Sequence, residues 1–135
     1  MTAPPPQNLP DLSGLTLLVV DDDADAIEVL STFLTACRAH VLFARTAPGA
    51  LAYVDAAPKL DAVITDLAMP QMDGFEFVRR IRQHPSRRAV PVIALTGFEE
   101  RYVERHEFDA FLRKPTNLDE LCRVVKEVVA RRRSS

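Results

Sequence analysis

Along the chain, short apolar runs alternate with stretches whose apolar residues recur at helical spacing. Residues 15–20, Leu-Thr-Leu-Leu-Val-Val, are a β-rich run of the kind buried on both faces of a parallel sheet, and they predict a first strand. Over residues 24–38, Ile27, Leu30 and Leu34, flanked by Val29, Phe33 and Cys37, form a broad helical stripe behind an acidic first turn. Residues 41–44 predict a second strand, and Leu51 and Val54 mark the inward face of a short helix between Pro48 and Pro58. A third strand covers residues 62–66. The loop Met69-Pro70-Gln71-Met72-Asp73-Gly74 leads into a third helix, begun by Phe75, Val78 and Ile81 and ended before Pro85. Residues 90–95 predict a fourth strand, with Pro91 near its start, where a missing donor is tolerated. Residues 99–105 are a short, highly charged helix candidate, and residues 110–113 a fifth strand. Thr116 and Asp119 make a capping-box pattern ahead of a last helix whose buried face is Leu118, Leu121, Val125 and Val128.

Five strand and helix alternations with short connections admit right-handed crossovers, which predicts an α/β/α three-layer sandwich on a parallel sheet. Residues 1–14, with Pro4, Pro5, Pro6 and Pro10 and no periodicity, read as a Pro-rich tail or linker. One domain over residues 15–131 and a basic C-terminal tail at 132–135 complete the expected organisation. A chain of 135 residues suits one core and one site.

Composition narrows the classes. Hydrophobic residues at 47% and charged residues at 27% are ordinary for a globular protein. No apolar stretch approaches the roughly 20 residues of a membrane span, and the first ten residues lack the cations of a signal peptide, so a cytoplasmic protein without a membrane partner is expected. A formal net charge of −2 argues against nucleic acid as a partner. Arg131, Arg132 and Arg133 read as a solvated helix end, where cations complement the macrodipole. Cys37 and Cys122 fit neither a metal spacing nor a disulfide framework and read as packing residues.

The candidate chemistry sits where the apolar runs end: Asp21, Asp22 and Asp23 after the first, Asp66 after the third, Thr96 after the fourth and Lys114 after the fifth. Neighbouring parallel strands would bring these residues to one edge of the sheet, where α/β folds place ligands. Like charges about 4 Å apart repel by roughly 1 to 4 kcal/mol between water-like and surface-like dielectrics, so gathered carboxylates call for a cation. Carboxylate, carbonyl and water oxygens suit Mg²⁺, and a fixed ammonium and hydroxyl suit phosphoryl oxygens.

In this order, Val19-Val20-Asp21-Asp22, the run from Asp66 through Leu67-Ala68-Met69-Pro70-Gln71-Met72-Asp73 to Gly74, Ala94-Leu95-Thr96-Gly97 and Leu112-Arg113-Lys114-Pro115 resemble the receiver domain of bacterial two-component response regulators. The likeness runs from about residue 15 to 130. It implies a flavodoxin-like, doubly wound five-stranded parallel sheet in order 2-1-3-4-5. It also implies that Asp66 is the phosphoacceptor, taking a phosphoryl group from a histidine kinase, a histidine phosphotransfer protein or a small donor such as acetyl phosphate. Asp22 and Asp66 match direct Mg²⁺ ligands, the carbonyl of Ala68 a third, and Asp21 a ligand through water. Lys114 matches the partner of the acceptor carboxylate, with a cis bond to Pro115. Thr96 and Phe111 match the switch pair. Such a protein promotes only its own phosphorylation and dephosphorylation, and acts on a downstream protein target, in some cases as a homodimer.

The chain departs from the family pattern after Thr96. The interval to Lys114 is short by about one helical turn, roughly 4 residues, which implies a shortened fourth helix. His106, Glu107, Phe108 and Asp109 stand where small residues and Gly usually precede strand five, so a distorted segment is expected over residues 97–106. Phe98, two residues past Thr96, matches a position that in the resembled family borders the path of hydrolytic water, and it is expected to slow dephosphorylation. Two other functions fit parts of the pattern. The Asp-x-Asp within residues 21–23, followed by a Thr and a Lys after strands, is the order of haloacid dehalogenase-like phosphatases, yet the acidic residues after Lys114 are Asp119, Glu120 and Glu127, within a predicted helix. A receiver-like interaction module that is never phosphorylated is the other.

Overall fold

The computed structural model describes residues 9–69, 72–97 and 108–134. Five strands, β1 (Thr16–Val20), β2 (His40–Ala44), β3 (Ala62–Asp66), β4 (Val92–Thr96) and β5 (Ala110–Arg113), form one sheet in the order β2-β1-β3-β4-β5. Every neighbouring pair is parallel, so all five carboxyl ends share one edge. Helices α1 (Ala24–Ala36), α2 (Ala47–Ala56), α3 (Gly74–Gln83) and α4 (Leu118–Ser134) are the four described helices. The helix candidate at 99–105, the shortening expected of it and Phe98 lie outside the described residues, as does most of the 97–106 segment.

Alternation along the strands divides the core in two. Leu17, Val19, Ile64, Ile93 and Leu95 face one side of the sheet, against Ile27, Leu30 and Leu34 of α1 and Leu121, Val125 and Val128 of α4. Leu18, Val20, Val63, Val92 and Ala94 face the other, against Ala50 and Val54 of α2 and Phe77, Val78 and Ile81 of α3. Helices on both faces explain why the strands read as continuous apolar runs.

Both expected tails need correction. Leu12 is fully buried in the α1 and α4 core with Leu9 packed against it, and its N–H donates to the Cys37 carbonyl at 2.8 Å. Burying a leucine contributes about 1.5–3 kcal/mol, so residues 9–14 belong to the domain and not to a linker. At the other end α4 runs to Ser134, and the Arg132 Nε donates to Asp109 Oδ2 at 2.8 Å, so 132–134 continue the helix. The cap of α4 also differs: Asn117, not Thr116, accepts the Glu120 N–H, at 3.0 Å.

The two ends of α1 are closed by different devices. Its N-cap Asp23 accepts the Asp25 N–H at 2.9 Å, which turns the chain from the end of β1 into the helix. At its other end Arg38 adopts φ 77°, and the Ala39 and Arg38 N–H groups donate to the Leu34 and Thr35 carbonyls, a Schellman ending built without glycine. The two thiols expected as packing are both fully buried, with the Cys122 Sγ 3.4 Å from that of Cys37.

Candidate functional site at the carboxyl edge of the sheet

The register puts the ends of β1 and β3 side by side, with Val20 opposite Thr65, so the residues that follow meet. Asp21, Asp22 and Asp66 offer carboxylate oxygens that lie within 4.8 Å of one another. Asp21 and Asp66 are buried, whereas Asp22 is exposed. Lys114, just past β5, reaches across the edge: its Nζ lies 3.2 Å from Asp21 Oδ2 and 3.3 Å from Asp66 Oδ1. The Lys114-Pro115 bond is cis, as the resemblance implies, and the Lys114 N–H donates to the Thr96 carbonyl at 3.0 Å.

The electrostatics of this cluster follow from its partial burial. Removal from water raises the Asp66 carboxyl above its ordinary value; Lys114 and the Ala68 N–H, 3.3 Å from Oδ1, oppose this and the Asp21 charge adds to it. For Lys114, burial alone acts to lower the ammonium, but the charges of Asp66 and Asp21 outweigh it and its pKa lies above the usual lysine value. Three carboxylates against one ammonium leave two negative charges, which a divalent cation balances. The donors are all hard anionic oxygens, a set that fits Mg²⁺ better than a soft metal. Ala68 is exposed in the loop after β3, with its N–H turned to Asp66.

Two structural features, one beside the site and one at the opposite edge of the sheet, have no counterpart in the sequence pattern. Gly74, placed by the sequence pattern in the loop ahead of the third helix, opens α3 against the backbone of the Asp66 loop. Its N–H donates to the Leu67 carbonyl at 2.9 Å, and an added Cβ would stand 2.8 Å from both the Asp66 oxygen and the Leu67 Cα. Asp73, the N-cap of α3, accepts the Glu76 N–H at 2.9 Å and fixes that approach. The second feature is Asp109, ahead of β5. Its Oδ1 accepts the Val92 N–H at 2.9 Å and pairs with Arg82 at 3.1 Å, while Oδ2 pairs with Arg132. A carboxylate that ties α3, β4 and α4 to the start of β5 replaces the small residues expected there.

Thr96 is buried at the end of β4, one residue past Leu95, which pairs with Asp66. Phe111 on β5 pairs with Ala94, on the same side of the sheet as Thr96. Its ring is partly buried and packs against Phe108, with centroids 5.1 Å apart. Sequence reading thus named five charged or hydroxyl-bearing residues, Asp21, Asp22, Asp66, Thr96 and Lys114, that the fold brings to one edge.

Comparison with known proteins agrees with this architecture. A family model for the response regulator receiver domain matches residues 17–126. A 14.6 kDa protein of Leptolyngbya boryana is 39% identical over 121 residues, spanning 86% of this chain and 91% of that protein. The two-component response regulator ARR10 of Arabidopsis thaliana is 33% identical over 121 residues, 86% of this chain, but the match spans only 21% of the plant protein's length. The crystal structure of a response regulator receiver protein from Pseudomonas putida superposes with a TM-score of 0.78 at 31% identity, covering 84% of this chain and 96% of that one. With the order 2-1-3-4-5, the acidic edge and these matches together, the chain belongs to the response regulator receiver domain family of two-component signalling.

Proposed function

We propose that Asp66 accepts a phosphoryl group from a phosphohistidine in a Mg²⁺-dependent reaction, and that the modified site switches a protein-binding surface. The observation that carries this reading is the cluster of Asp21, Asp22 and Asp66 with the Lys114 ammonium against two of its members. Asp22, Asp66 and the Ala68 carbonyl would hold the ion, with Asp21 acting through water; bound there, the ion supplies charge to neutralise phosphoryl oxygens.

In the reaction an Asp66 carboxylate oxygen attacks phosphorus as the phosphorus to imidazole-nitrogen bond breaks and the ring leaves with its electron pair. Lys114 gives up part of its contact with Asp66 to hold a phosphoryl oxygen, and the Thr96 hydroxyl holds another. Phe111 turns inward behind Thr96. A groove of about 400 Å³ beside the cluster, lined in part by Val29, Leu30, Pro115 and Leu118, gives a histidine kinase or phosphotransfer protein apolar contact next to the acceptor. Among the described residues no helix is long and apolar enough to cross a membrane.

The phosphatase reading lacks a second acidic pair at a strand end, since Asp119, Glu120 and Glu127 all lie on α4. Incubation with acetyl phosphate, with and without Mg²⁺, separates the readings by intact mass. The expected result is one added phosphoryl group on the wild type with Mg²⁺ and none on Asp66→Ala. Continuous phosphate release from Asp66→Ala supports a phosphatase, and no adduct on the wild type supports an unphosphorylated interaction module.

A further inference from the structure

Phe108 lies two residues ahead of β5, buried at the junction of two other rings. Its centroid is 5.1 Å from that of Phe111 on β5 and 6.0 Å from that of Phe75, the second residue of α3, which it meets edge to face at 89°. These separations are those of rings in contact. Three aromatic side chains therefore run in an unbroken row from the strand that carries the switch residue to the first turn of α3. That turn is the one seated on the Asp66 loop through the Gly74 N–H.

The backbone beneath Phe108 is held from the next residue. The Asp109 N–H donates to the Val92 carbonyl at 2.8 Å, and its carboxylate takes the Val92 N–H, Arg82 and Arg132. The strand start is anchored in this way, so a turn of the Phe111 ring would press on the Phe108 ring. Close-packed side chains change place in discrete steps, so Phe108 cannot leave its position without altering the contact it makes with Phe75.

We propose that Phe108 is a positioning residue that couples the Phe111 ring to Phe75, so that phosphoryl capture at Asp66 is reported at the N-terminal turn of α3. This rests on the receiver reading for the movement of Phe111, and adds to it a route toward α3.

The test uses the full chain labelled with ¹³C and ¹⁵N, with Mg²⁺ and beryllofluoride as the phosphoryl mimic, and reads the resonances of Thr96 and of the Phe75 amide and ring. In the wild type both residues are expected to shift. In Phe108→Ala and in Phe108→Leu, which keeps apolar bulk should the alanine variant fail to fold, Thr96 still shifts and Phe75 no longer does; Phe108→Tyr restores the Phe75 response. A merely structural role would not remove one response and spare the other. A Phe75 response of wild-type size in Phe108→Leu overturns the coupling while leaving the receiver reading intact. A wild type silent at both Thr96 and Phe75 instead overturns the receiver reading, and the coupling with it.

Discussion

Replacing Gly74 by alanine probes how tightly the acceptor loop is held. The added Cβ would stand 2.8 Å from the Asp66 carbonyl oxygen, 2.8 Å from Leu67 Cα and 2.8 Å from Leu67 Cδ2. Comfortable carbon contacts begin at about 3.5 Å, so α3 and the loop must part by roughly 0.7 Å. Two of the three atoms are backbone, which cannot rotate away as a side chain can. Overpacking of this kind costs about 1–3 kcal/mol. Because a misplacement of about 1 Å at a reacting centre can cost 10²-fold, a shift about seven-tenths as large corresponds to roughly twentyfold in the rate of phosphorylation. Urea unfolding measures the first effect, and the initial rate with acetyl phosphate and Mg²⁺ the second. Adding Leu67→Ala removes only the Cδ2 contact and leaves both losses largely in place. A Gly74→Ala protein with wild-type urea midpoint and wild-type rate would refute the steric argument.

Other expectations concern charge and the thiols. Because burial raises the Asp66 pKa, the metal-free wild type carries a stability penalty at every pH above the folded value and none below the ordinary carboxylate value. Asp66→Asn is therefore expected to raise the urea midpoint at neutral pH, with the gap closing on acidification; an equal or lower midpoint at neutral pH contradicts this. Mg²⁺ should stabilise the wild type by about 2.7 kcal/mol at one hundred times its dissociation constant, and thermal melts of Asp22→Ala should show a much smaller gain, since that variant loses a donor of the cluster. Burial, with the contact to Cys37, pushes the Cys122 thiol up to about 12. An aromatic disulfide reagent at pH 8 should thus find no reactive thiol in the native protein and two after denaturation. Stability should also fall as the pH climbs from the ordinary thiol range toward 12, because the folded state keeps a proton that the unfolded chain has lost. Rapid labelling of the native protein would show that the α1 and α4 seam opens easily.

Strands were readable from sequence because strands buried on both faces must be apolar throughout, and β3 and β5 fall on the residues their runs indicate. The ends that moved did so for backbone reasons. β2 begins at His40 because its pairing with Thr16 extends past the apolar run, and β4 begins at Val92 because Pro91 has no N–H to pair. Leu9 and Leu12, set among prolines, carry no periodicity, and only the seam between α1 and α4 shows what they bury against. The site residues were legible because each ends or follows a strand, and parallel pairing then does the gathering. Gly74 and Phe108 were not, since a close approach and a ring stack are tertiary facts that leave no local pattern. Asp109 belongs with them: its three partners lie on β4, α3 and α4, distant in sequence.

Trapping the phosphorylated residue chemically tests the central claim most directly. After exposure to acetyl phosphate and Mg²⁺, borohydride reduces an aspartyl phosphate to homoserine, which peptide mass spectrometry locates. Conversion of Asp66 alone, abolished by chelation of Mg²⁺ and strongly reduced in Lys114→Ala, is the expected result. Homoserine at Asp21 or Asp22 in its place, or none at any position under the same conditions, would contradict the account.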